Sequence, residues 1–104
     1  MFATVRRYEG IDVSQKDELT KKIGESLAPR LSKLPGFNNY FLIDTGNGVM
    51  SSIGLFDTST QADESTRVAS DWVRDEKLES ILKSPPKVTA GEVIVHKTNG
   101  AVQA

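Results

Sequence analysis

Two strand-like runs, residues 37 to 44 and 49 to 57, flank Thr45-Gly46-Asn47-Gly48, whose residue types tolerate the positive φ of a tight hairpin turn, with Asn47-Gly48 at its centre. Both runs are apolar at both parities. Val49, Ile53 and Leu55 alternate with Met50 and Phe56, and Phe37, Phe41 and Ile43 alternate with Tyr40 and Leu42. A strand with one face in water alternates apolar with polar residues, so this hairpin belongs to a sheet that is covered on both sides.

The rest of the chain supplies cover for only one side. Residues 2 to 9 are β-branched and aromatic and stop at Gly10, which predicts a first strand. From Ser14 the period changes: Leu19, Ile23, Leu27 and Leu31 recur every four residues, which predicts a helix with one buried stripe and a kink or restart near Ala28, ahead of Pro29. Leu34-Pro35-Gly36 ends it. Thr58 and Gln61 predict a capping box opening a second helix, whose buried seam runs through Ala62, Ser65, Ala69, Trp72 and Val73. A weak helical turn over Lys77 to Leu82 is stopped by Pro85-Pro86, and a last strand spans Val88 to Lys97, with Gly91 marking a bulge or a close backbone approach. The order β-α-β-β-α-β is that of a ferredoxin-like α+β domain with a four-stranded antiparallel sheet, here residues 1–97, followed by a flexible tail, 98–104. Two helices leave the other sheet face bare. A second copy packed sheet to sheet covers it, which predicts a homodimer.

Charge and composition exclude several partner classes. Thirteen Lys and Arg against fourteen Asp and Glu give no basic field for phosphates, so nucleic acid is not the expected partner. No apolar run reaches the ~18 residues that span a bilayer, and the start has no signal-peptide order, which points to the cytoplasm. The chain has no cysteine and one histidine, so thiolate metal sites, thiol nucleophiles and a Ser-His-Asp arrangement are ruled out, and no metal is expected.

His96, the natural general base by its ordinary pKa, lies late in the last strand without a sequence partner and reads as a surface or interface residue. Trp72 lies on the buried seam of the second helix, suited to core packing or to stacking on an aromatic ligand. Tyr40 and Tyr8 offer hydroxyls from strands. Arg6 and Arg7 are adjacent, so they point to opposite faces of the sheet and one of them approaches a covered surface; the alternatives there are an ion pair, for instance with Glu92, or an interface contact. Gly46-Asn47-Gly48 is a turn and not a phosphate loop, and Asp63-Glu64 and Asp75-Glu76 read as solvated helix faces.

With these elements placed, the chain resembles the antibiotic biosynthesis monooxygenase-like family of dimeric α/β barrels over residues 1 to about 97. The features that carry the resemblance are Leu34-Pro35-Gly36-Phe37 with Tyr40, the hairpin ending Phe56-Asp57-Thr58, the Ala62 to Ser65 helix start, and Ala69 to Trp72-Val73. It implies a small-molecule pocket between sheet and helices of each protomer, for an aromatic or anionic molecule, with Arg7, Ser52, Phe56, Trp72 and Tyr40 as ligand-binding candidates and no cofactor. It also implies an alternative, a cofactor-independent monooxygenase acting on a quinol or polyphenol. The family's haem-degrading pattern of Asn, Trp and His falls near Arg7, Phe56 and Thr66, where those residues are missing, so haem degradation is not expected.

Overall fold

A computed structural model of the chain describes residues 1–97; the tail 98–104 expected to be flexible lies outside the described residues. Four antiparallel strands, β1 (Phe2–Tyr8), β2 (Phe37–Gly46), β3 (Val49–Phe56) and β4 (Lys87–Glu92), form one sheet in the order β2-β3-β1-β4. The helices lie on one face. They are α1 (Lys16–Lys22), α2 (Ala28–Ser32) and α3 (Ser59–Asp75). This is the ferredoxin-like α+β arrangement predicted from the element order, and among the described residues no helix is long and apolar enough to cross a membrane.

Local chemistry explains most of the boundaries. Pro29 has no N–H to donate to the carbonyl four residues back, and the chain accommodates it with a π-helical turn, Ile23–Leu27, in which the Ala28 amide reaches the Ile23 carbonyl. The helix therefore continues through the proline, and Leu19, Ile23, Leu27 and Leu31 all stay buried on one stripe. Asn47 and Gly48 both have positive φ, 57° and 76°, as the tight hairpin requires. Thr58 caps α3: its hydroxyl accepts from the Gln61 amide, and Gln61 Oε1 accepts from the Thr58 amide. Ala62, Ser65, Ala69 and Trp72 form the buried seam.

Three expectations are corrected. The segment from Lys77 to Leu82 is a series of turns and not helix, because Lys77 takes positive φ (56°) directly after α3. β4 ends at Glu92, so Ile94, Val95 and His96 are exposed beyond the strand, and Gly91 pairs in regular register with Ala3 without a bulge or a close neighbour. The bulge lies instead in β2, between Phe37 and Asn39. It shifts the parity, so Phe37 turns to the helices, edge-on to Phe56 at 5.8 Å between ring centroids, together with Tyr40 and Leu42, while Phe41 and Ile43 face away.

The register leaves an apolar patch on the helix-free face. It carries Ala3 and Val5 from β1, Ile53 and Leu55 from β3, and Phe41 and Ile43 from β2, the last two being 51% and 42% exposed. The helix-covered face carries Thr4, Arg6, Ser52 and Gly54 among its apolar residues.

Gly36 holds the α2–β2 connection against the start of α3. Its φ is +75°, and a Cβ there would overlap the Gln61 side chain that completes the capping box. Gly36→Ala is expected to lower unfolding stability by about 2 kcal/mol, combining left-handed strain with partial loss of the cap, as read from urea denaturation.

Candidate functional site

Because α3 and the long first helical segment cannot lie flat on a twisted sheet along its whole length, side chains from both layers fill the wedge between them. Near its centre an enclosed hollow of about 10 Å³ remains, room for about one water. Its floor is Tyr8, Tyr40 and Ser52; its roof includes Leu27, Trp72 and Leu82. Trp72 is 1% exposed and its indole N–H donates to the Ser26 hydroxyl at 2.9 Å, which fixes the ring plane against the hollow.

Arg6 is the inward arginine. It pairs directly with Ser52 across β1 and β3 and is 1% exposed, whereas Arg7 pairs with Ser51 on the opposite face. Arg7 binds Glu9 through Nε at 2.9 Å with its side chain half exposed, so the sequence-based expectation that it faces the pocket is corrected, and its ion-pair partner is Glu9 and not Glu92. The reason is parity: Ser52 and Phe56 do face the helices, but antiparallel pairing places Arg6, and not Arg7, in their row.

Around Arg6 the polar chemistry is incomplete. Nη1 donates to the Thr66 hydroxyl at 3.4 Å, a long bond, and Thr66 also lies 3.4 Å from the Thr4 hydroxyl. Arg6 Nε and Ser52 Oγ are buried and have no hydrogen-bond partner of good geometry among the described residues, although the Tyr8 and Tyr40 phenols stand close enough to interact with the guanidinium, and Tyr40 with the Ser52 hydroxyl. No carboxylate among the described residues forms an ion pair with Arg6. The phenols of Tyr8 and Tyr40 do not supply the missing charge: burial raises both above the ordinary tyrosine pKa, and the nearby Arg6 cation only partly offsets this. Both therefore stand beside the guanidinium as neutral hydroxyls at neutral pH.

Of the residues expected at the site, Ser52, Trp72 and Tyr40 come together on the hollow. Phe56 is on the same face but packs on Phe37, and it does not line the hollow. Arg6, Tyr8 and Ser26 complete the arrangement. Tyr8 and Arg6 were visible as strand residues of one parity, but only the β1–β3 register says which parity is covered; Ser26 has no signal beyond being on the helix that crosses Trp72. Among the described residues no group of three His, Asp or Glu is arranged to hold a metal.

A second hollow, about 280 Å³ and open to solvent, adjoins the first and shares Tyr8, Val73 and Leu82 with it. Its outer wall is the turn segment through Lys83, Pro85 and Pro86. Tyr8, Val73 and Leu82 thus stand between outer and inner space, and Leu82 is the one of them that belongs to the turn segment.

By sequence, no protein-family model and no curated protein matches the chain. Its structure does match solved ones. A protein of unknown function from Nitrosomonas europaea superposes with a TM-score of 0.75 at 18% identity, over 94% of this chain and 93% of that one. A monooxygenase from Streptomyces coelicolor, solved in complex with nanaomycin D, gives 0.71 at 16% identity over 94% and 91%. A dimeric ferredoxin-like protein from an uncultured marine organism gives 0.64 at 14% over 94% and 97%. Proteins proposed to be antibiotic biosynthesis monooxygenases share the same fold. The expected resemblance to that fold therefore holds in three dimensions, and at these identities it speaks for architecture and not for an activity.

The two phenols give a direct check on the site. They are the only tyrosines in the chain, so tyrosinate absorbance should appear at higher pH in the folded protein than in the urea-unfolded chain, whose phenols titrate near 10.0. Since the folded state then holds the protons longer than the unfolded state, the phenols' contribution to stability is intact below about pH 10 and is lost as pH rises through their folded pKa values. Replacing both by Phe should flatten that part of the alkaline loss in a thermal-unfolding series.

Proposed function

We propose that the chain is a homodimeric α/β-barrel protein that binds a small aromatic or anionic molecule between its sheet and helices. The observation that carries the ligand reading is the hollow itself: a tryptophan fixed by Ser26, two neutral phenols and the Ser52 hydroxyl line a space that the core leaves unfilled, and Arg6 is paired with Ser52 on the same sheet face. Buried polar atoms without partners cost about 1–3 kcal/mol each, and a protein under selection for stability alone has apolar alternatives at Arg6 and Ser52. The inner space by itself is too small for an organic ligand. Outward movement of Leu82 joins it to the outer hollow of about 280 Å³, which gives a molecule a route past Tyr8 to Trp72.

The dimer reading rests on the bare sheet face. Val5, Ile53, Leu55, Phe41 and Ile43 form a contiguous apolar surface larger than single scattered exposed residues, on a fold that one solved relative displays as a dimer. Sedimentation at micromolar concentration should give twice the protomer mass, and Ile53→Glu, which places a charge in the middle of this face, should give the single-chain mass. A lone wild-type protomer would overturn the dimer.

Likeness to a monooxygenase with a bound ligand supports a second reading, cofactor-independent oxygenation of a quinol or polyphenol, in which the protein orients an electron-rich phenolate toward oxygen. One experiment separates the two. With a hydroquinone panel, quenching of Trp72, the single tryptophan of the chain, reports binding, and an oxygen electrode in the same mixture reports turnover. Quenching without oxygen uptake leaves a binding protein; uptake accompanied by quenching makes it an oxygenase; no quenching by any member counts against the aromatic pocket.

A further inference from the structure

Arg6 is a buried cation for which the described chain supplies no anion, and from this we infer that the ligand brings it: the site takes an aromatic carboxylate, received in its ionised form by Arg6 and Ser52. The inference rests on the pocket reading above and narrows it to one charge and one functional group.

The polar groups facing Arg6 from the elements packed against it are hydroxyls, Thr4 and Tyr8 from its own strand, Ser52 from β3, Tyr40 from β2 and Thr66 from α3, while β4 pairs apolar Val88 with it. None carries a negative charge at neutral pH. The nearest acidic partner in sequence, Glu9, is engaged on the other face by Arg7 and Lys87. An isolated guanidinium 1% exposed to solvent is unfavourable by several kcal/mol unless an anion joins it, and arginine does not escape by losing its proton.

The geometry also selects the anion. Arg6 turns Nη1 toward Thr66, its Nε is unpartnered among the described residues, and the neighbours within reach of the guanidinium, the Tyr8 and Tyr40 phenols, are neutral, so the edge formed by Nε and Nη2 meets no anion of the described chain. Two parallel N–H donors on one edge match the two oxygens of a carboxylate. Ser52 Oγ, the other unpartnered atom, sits on the neighbouring strand at the paired position and can donate to one of those oxygens. Once the inner and outer hollows are joined, Trp72 and the phenol rings of Tyr8 and Tyr40 supply flat apolar surface for the body of the molecule. A monocarboxylate attached to an aromatic ring satisfies both halves of this site; a phosphate would bring more charge than one guanidinium offsets.

The test uses an isosteric pair, 2-naphthoate and 2-naphthamide, titrated calorimetrically into the wild-type protein at pH 7.5. Naphthoate is expected to bind at least tenfold more tightly. Arg6→Met should bring the two affinities within about twofold of each other while leaving the thermal midpoint unchanged or raised, because it removes an uncompensated buried charge; a merely structural arginine would lower that midpoint. Ser52→Ala should weaken naphthoate severalfold and leave naphthamide unaffected, which keeps the assignment testable if Arg6→Met does not fold. Equal affinity of the pair for the wild type, or a preference for naphthoate that survives Arg6→Met, overturns the carboxylate assignment while the aromatic pocket stands. Binding of neither compound overturns both.

Discussion

The pairing of β1 on β3 is the constraint from which the rest follows. A strand offers each neighbour alternating faces, so aligning Arg6 with Ser52 sends Thr4, Arg6 and Tyr8 beneath the helices and Ala3, Val5 and Arg7 to the other side. A slip by one residue would exchange these sets. It would bury Arg7 in place of Arg6 and send Thr4 and Tyr8 to the helix-free face, so the register alone decides which arginine meets the helical layer. The observed register sets Arg6 and its hydroxyl neighbours among the core side chains beneath the helices, and Val5, Ile53, Leu55, Phe41 and Ile43 on the helix-free face.

The two faces thereby divide the work. Outside, aliphatic and phenylalanine side chains are suited to burial against another pleated surface, where period-two alternation lets two sheets interdigitate. Inside, Leu19, Ile23 and Leu27 of the apolar stripe share the hollow with Trp72, and the Ser52 hydroxyl and two phenols interrupt the hydrocarbon there. A core built for stability alone would close that gap with a branched aliphatic side chain. The gap lies next to the turn segment after α3, a wall that has no regular hydrogen-bond ladder to hold it in place.

The helical layer shows how local chemistry is bent to this arrangement. Pro29 interrupts the backbone bonding pattern, yet the π turn preceding it keeps the apolar stripe in phase and carries Ser26 to the indole of Trp72. The capping box at Thr58 fixes where α3 begins, and so sets which of its residues face the sheet: Ala62, Ser65, Ala69 and Trp72 point down, with small residues at the start allowing close approach and the large one at the end spanning the wider part of the wedge.

Sequence alone determined what depends on near neighbours. The Asn47-Gly48 turn, the four-residue spacing of leucine and isoleucine, and the Thr58–Gln61 cap each act over a few residues, and each specifies its element and the β-α-β-β-α-β order without reference to the rest of the chain. Of the site, Trp72, Tyr40 and Ser52 were legible because one periodic seam and one hairpin parity carry them. The choice between Arg6 and Arg7 was not, since two adjacent arginines look alike until a strand 40 residues away sets which is covered. The inward turn of Phe37 depended in the same way on a bulge at Asn38 that no local signal marks. Tertiary structure decided these points because strand register is a long-range property, fixed by packing of whole faces and not by the conformational preferences of any one residue.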